Sequence, residues 1–174
     1  MQTVISKGGA VEEKRTNIMD VNKLTNIGDF KKSRVELKVE LMTLFNEAKS
    51  YLEKQNWCSN IVGCWFDRSY VDKLAVFYFK IVPLGEADEF VWIIVGDIPP
   101  AYIDIETASN GALAIQAYTD IMEDWVTAVV NGEGVDEVYP IDAPANEEYA
   151  SMLASRIKFI RNKILVNYND ELKA

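Results

Sequence analysis

Leu74-Ala75-Val76-Phe77-Tyr78-Phe79-Lys80-Ile81-Val82 is followed shortly by Phe90-Val91-Trp92-Ile93-Ile94-Val95, and these two runs decide the fold. Both have strand length and are rich in β-branched and aromatic residues. Pro83 to Asp88 turns the chain between them, and Gly96-Asp97-Ile98-Pro99-Pro100 ends the second, because prolines lack an amide donor and restrict the residues before them. In the first run Ala75, Phe77, Phe79 and Ile81 share one face and Val76, Tyr78 and Lys80 the other; the first face is expected to meet the core. The second run is apolar on both faces, which predicts a strand covered on both sides, by helices or by another subunit.

Toward the N-terminus, Ile61 to Phe66 reads as a further strand and Asp67-Arg68-Ser69 as the turn that follows it. Before them, Leu37, Leu41, Leu44, Phe45, Ala48, Tyr51 and Leu52 recur at spacings of three and four, so Phe30 to Lys54 is a helix with one apolar stripe. Residues 1–29, with Gly8-Gly9 and a charge run at Glu12 to Arg15, read as a loosely structured arm. Toward the C-terminus, Ala101 to Ile105 is a short edge strand. A helix follows, capped by Ser109 or Asn110, carrying Tyr118, Met122, Trp125 and Val129 on one side and stopped by Asn131-Gly132. After a loop containing two prolines, Asn146 caps a last helix with Met152, Leu153, Ile157, Ile160 and Ile164 as its buried stripe. The order α-β-β-β-(β)-α-α gives an α+β class: an antiparallel meander of three to four strands packed with about three helices, residues 30–174 forming one domain.

Several chemistries are excluded by composition. The 174 residues include no histidine, which removes the commonest general base, the Ser-His and Cys-His nucleophiles, and nearly every zinc site not built from cysteine. Cys58 and Cys64 read as two reduced thiols, and no cofactor or metal is expected. No run is long enough to span a bilayer and no export signal is visible, so a soluble, cytoplasmic protein without a membrane partner is expected. Lys31, Lys32, Arg34 and Lys38 are interleaved with Glu36 and Glu40 and form no basic stripe, which argues against a nucleic-acid partner.

Charge is distributed very unevenly. From Ile81 to Ser155 there is no lysine or arginine in 75 residues, while 15 are acidic; the chain as a whole carries −9, so everything outside this block is net positive. Such segregation brings self-repulsion that a mixed surface would avoid, and it suits an acidic face that attracts a basic protein. Asp120, Glu123 and Asp124, spaced three and four apart away from the apolar stripe, form a candidate partner-binding ridge, with Asp97, Asp104 and Glu106 as further candidates. No residue is assigned a catalytic role.

Trp92-Ile93-Ile94-Val95-Gly96-Asp97-Ile98-Pro99-Pro100-Ala101-Tyr102, together with Trp125 and the Asn131-Gly132 stop, resembles a family of small bacterial proteins of unknown function over roughly residues 57–165. The resemblance implies a fold and a bacterial origin, and no reaction. The leading expectation is an interaction module that docks a basic partner such as a toxin, as an immunity protein or an inhibitor imitating nucleic acid would. The alternatives are an enzyme or small-ligand binder with a pocket near Asp97 and Tyr102, drawing also on Asp67 and Arg68, and a homodimer that hides the second face of the sheet, where Trp65, Tyr78 or Trp92 lie.

Overall fold

A computed structural model describes residues 19–32, 35–70 and 73–174, without the side chains of residues 30–38. Residues 1–18 and the side chains of Lys31, Lys32, Arg34 and Lys38 lie outside the described residues. Five strands, β1 Thr25–Asn26, β2 Cys58–Tyr70, β3 Leu74–Pro83, β4 Phe90–Gly96 and β5 Ala101–Asp104, form one antiparallel sheet in sequence order. The two apolar runs pair at its centre, with Phe77 opposite Ile93 and Tyr78 opposite Trp92. The helices are α1 Val35–Glu53, α2 Gly111–Val130 and α3 Glu147–Phe159; a π-helical turn Ile160–Ile164 and a 3-10 turn Leu165–Tyr168 lead into a last short helix, α4 Asn169–Leu172.

The sheet is filled from both sides by the chain's own helices, so the class is α+β with three layers. Ala75, Phe77, Phe79 and Ile81 pack with Val91, Ile93 and Val95 against Ala48 and Leu52 of α1. The opposite face, Leu74, Val76, Tyr78, Trp92 and Ile94, is buried under Ile115, Tyr118, Met122 and Trp125 of α2 and Leu153 and Ile157 of α3. Expecting the core on one face of β3 was therefore too narrow, because α2 and α3 both land on the other. It also removes the reason for a second copy: Tyr78 and Trp92 are fully buried within the chain. Burying an aromatic polar group requires a partner, and the Trp92 indole N–H donates to the Ala108 carbonyl at 2.9 Å.

Three local readings are corrected. Asp67-Arg68-Ser69 is not a turn: it continues β2, with Arg68 opposite Val76 and Ser69 opposite Ala75, and the chain reverses after Tyr70, where Lys73 N–H donates to the Tyr70 carbonyl at 3.0 Å. These polar residues fit in a strand because a bulge between Phe66 and Arg68 turns Asp67 toward the start of α2, while Arg68 bonds Asp67 and also Glu171 at 2.6 Å and lies over the Tyr168 ring. The arm is docked in part. Thr25 and Asn26 pair with Phe66 and Trp65, Met19, Val21 and Leu24 pack on the core, and Met19 N–H donates to the Tyr78 hydroxyl. Its two-residue strand is too short to carry a strand signal. Met152, placed in the buried stripe of α3, is 45% exposed.

The helix limits follow the capping chemistry. Asn110 accepts the Leu113 amide at the start of α2 and Asn146 the Tyr149 amide at the start of α3. Gly132, with φ 69°, lies just beyond the α2 end.

Candidate functional site

The Gly96-to-Tyr102 stretch is fixed before any site is formed on it. Gly96 has φ 141°, and a Cβ there would lie 2.3 Å from the Lys73 carbonyl, so only glycine lets β4 close against β3. The next residues are tied to both helices above them. The Tyr118 hydroxyl donates to the Pro99 carbonyl at 2.7 Å. Arg156 of α3 donates to the Asp97 carbonyl at 2.7 Å and to its carboxylate at 3.1 and 3.3 Å. Asp97 therefore binds a guanidinium.

This held stretch floors a cleft of about 800 Å³ between the C-terminal half of α1 and the N-terminal half of α3. Ile98, Pro99, Pro100, Ile141, Met152 and Leu153 make it largely apolar, and Glu47, Lys54, Asp97, Asp142 and Arg156 supply charge. Glu47 is raised above the usual carboxylate range by burial. The sequence expectation of a pocket near Asp97 and Tyr102 is matched in position, whereas Asp67 and Arg68 are absent from its lining, Arg68 bonding both Asp67 and Glu171.

Tyr139 carries the loop between α2 and α3 onto the edge strand. Its hydroxyl accepts the Tyr102 amide at 3.0 Å and lies 2.8 Å from the Tyr51 hydroxyl. The same contact satisfies an amide on the edge strand β5 that would otherwise invite pairing with another chain. Burial pushes both phenols up, so they are neutral hydrogen-bonding groups at pH 7 and not bases. The Tyr102 ring has Tyr139 at 5.3 Å on one side and Trp57 at 5.0 Å on another. Beyond Trp57 a second recess of about 400 Å³ opens between β5 and the 84–88 turn.

The acidic candidates do not form one patch. Asp120 and Glu123 are exposed on α2, but Arg161 forks across them: Nη1 and Nη2 reach Glu123 at 2.8 and 2.9 Å, Nη2 reaches Asp120 at 3.0 Å, and Nε donates to Thr119. This guanidinium holds the Glu123 carboxyl below its ordinary range. Asp124 and Glu106 are exposed. Asp104 takes the Thr107 amide and hydroxyl at 2.7 and 3.0 Å, at the opposite end of β5 from Asp97. The loop and the first turn of α3 behave differently. Glu133, Asp136, Glu137, Asp142, Glu147 and Glu148 are all exposed, and none has an ion-pair partner among the described residues. Also among the described residues, no three acidic or cysteine side chains are placed to hold a metal ion, and no helix is long and apolar enough to cross a membrane.

Sequence reasoning missed Tyr51, Tyr139 and Trp57, whose roles depend on contacts spanning up to 88 positions. Val135, Val138 and Ile141 beside Tyr139 in this acidic loop were the available signal, since apolar residues there pack on the core. No family model, no curated protein and no solved structure matches the chain. The resemblance read from residues 92–102, Trp125 and Asn131-Gly132 gains no support from these comparisons.

Proposed function

We propose that this chain is a protein-binding module that docks a basic partner through the face around Tyr102, with the 133–148 carboxylates as its electrostatic rim. One observation carries the reading: the apolar cleft, its floor tied to two helices, is lined by Asp142 and by residues of the 133–148 segment, whose six exposed carboxylates have no ion-pair partner among the described residues. Apolar surface with an acidic margin suits a partner that buries hydrophobic side chains and presents lysine or arginine around them. Tyr149 and Met152, 42% and 45% exposed at the cleft, are the apolar contacts open to it. An immunity or inhibitor-type role, in which an acidic protein covers the basic surface of a toxin, is the biological form this takes.

The volume of the cleft also lies within the range used by small ligands, which favours the alternative of a ligand pocket. Its polar groups favour the first reading, since Asp97, Arg156, Tyr51 and Tyr139 are already engaged with one another. The test is association of the full chain with an arginine-rich peptide, followed by stopped-flow fluorescence at increasing salt. Docking on the acidic rim predicts an on-rate that falls steeply as the Debye length shrinks from about 30 Å to about 8 Å. An on-rate indifferent to salt, or no association at the lowest salt, contradicts it.

A further inference from the structure

The recess beyond Tyr102 has a composition unlike the large cleft. Trp57 and Tyr102 meet at 70° with ring centroids 5.0 Å apart, making an aromatic corner. Leu84 and Val91 extend its apolar wall, and Glu86, Asp88 and Asp104 stand on its margin. Among the described residues no lysine or arginine lines it. Lys80, the cation of the adjoining strand, does not line the recess but lies over Phe90 at its edge, 5.6 Å from that ring's centroid and 3.4 Å from Glu89. The corner is fixed: Leu84 N–H donates to the Trp57 carbonyl at 2.8 Å, and Thr107 holds the Asp104 carboxylate through two hydrogen bonds.

Electron-rich ring faces beside carboxylates attract a cation that also has an apolar or planar body. A divalent metal ion does not fit, because it needs several oxygens converging at one point and no such group forms among the described residues. A neutral ligand would gain nothing from three carboxylates. Arginine suits the corner best: its guanidinium stacks on rings and is more weakly hydrated than an ammonium, and its stem lies along apolar surface. Tyr102 also joins the recess to the acidic loop through Tyr139, so a partner on that face reaches both.

We propose that this recess receives an arginine side chain of the basic partner, laid against the Trp57–Tyr102 corner beside Glu86 and Asp104. This rests on the docking function above and names the anchor within it. The test uses the full chain and N-acetyl-arginine-amide, with N-acetyl-citrulline-amide as the neutral isostere, followed by NMR of the Trp57 indole and Tyr102 signals. Saturable shifts of both, at least about tenfold weaker with citrulline and reduced about tenfold by Glu86→Gln with Asp104→Asn, are the result expected. Lysine reversal of Glu133, Asp136 and Glu137 leaves this single-residue binding unchanged. A silent Trp57 while an arginine-rich peptide still binds in a salt-sensitive way overturns the recess and leaves the docking function standing. Equal binding of citrulline overturns the requirement for a cation. If neither the amide nor the peptide binds, both proposals fall.

Discussion

Two acidic surfaces lie a few turns apart on this molecule, and they differ in what faces them. On α2, Asp120 and Glu123 are answered by one guanidinium; in the loop that follows and the first turn of α3, six carboxylates have no cation opposite them among the described residues. Both belong to the same lysine-free block, so sequence density does not separate them. What separates them is the path of the chain after Ser155. The π-helical turn carries Arg161 back over the middle of α2, while among the described residues no cation pairs with the loop carboxylates. An acidic stretch is thus open to an outside cation only where the rest of the fold leaves it unanswered, and in the ridge that the spacing singled out two of three carboxylates, Asp120 and Glu123, are answered.

The largest effect should come from releasing the loop. Tyr139→Ala removes a half-buried ring, the acceptor of the Tyr102 amide and the partner of Tyr51, and is expected to cost about 3 kcal/mol in chemical denaturation. Tyr139→Phe keeps the ring and should cost about 1 to 2 kcal/mol, with faster hydrogen exchange at the Tyr102 amide. A loss well under 1 kcal/mol for the alanine variant would mean that the loop is not held by this residue, and the comparison would lose its rigid member.

Removing the cation from the ridge is a smaller perturbation. Arg161→Ala is expected to cost about 1 kcal/mol or less, as partly exposed ion pairs do. It should also make the ridge able to bind an arginine-rich peptide at low salt, so that its carboxylates begin to resemble those of the loop. No gain in binding would show that more than Arg161 masks the ridge.

The smallest effect is a titration. Because Arg161 depresses the folded pKa of Glu123, its contribution to stability is present above the unfolded value and lost as pH falls through the lower folded one. Carboxyl NMR should find Glu123 titrating below the ordinary glutamate range and returning to it in Arg161→Ala. An ordinary value in the parent chain would dissolve the ion pair in solution.

Most of the fold was legible because the signals were local. The alternation in Leu74 to Val82, the doubly apolar Phe90 to Val95 and the caps Asn110 and Asn146 each act within a few residues, and each lies where it was expected. Thr25–Asn26 escaped because two residues carry no period, and Asp67-Arg68-Ser69 misled because a bulge lets turn-like residues continue a strand. The site was less legible. The Asp97 and Tyr102 neighbourhood was named from its motif, but its walls come from Glu47 to Gln55 and Pro140 to Arg156, which no spacing rule connects. The ridge shows the same in reverse: its spacing is local, and the arginine that pairs with Asp120 and Glu123 lies about 40 positions away.

The most direct test compares two triple reversals of equal charge change in the full chain: Glu133, Asp136 and Glu137 to lysine, and Asp120, Glu123 and Asp124 to lysine. On-rates for the same arginine-rich peptide at low salt should fall about tenfold or more for the loop set and about threefold or less for the ridge set, since among the described residues the first removes three carboxylates without an ion-pair partner and the second only Asp124 beside two held by Arg161. Equal losses from the two sets, or a larger loss from the ridge, would contradict the account.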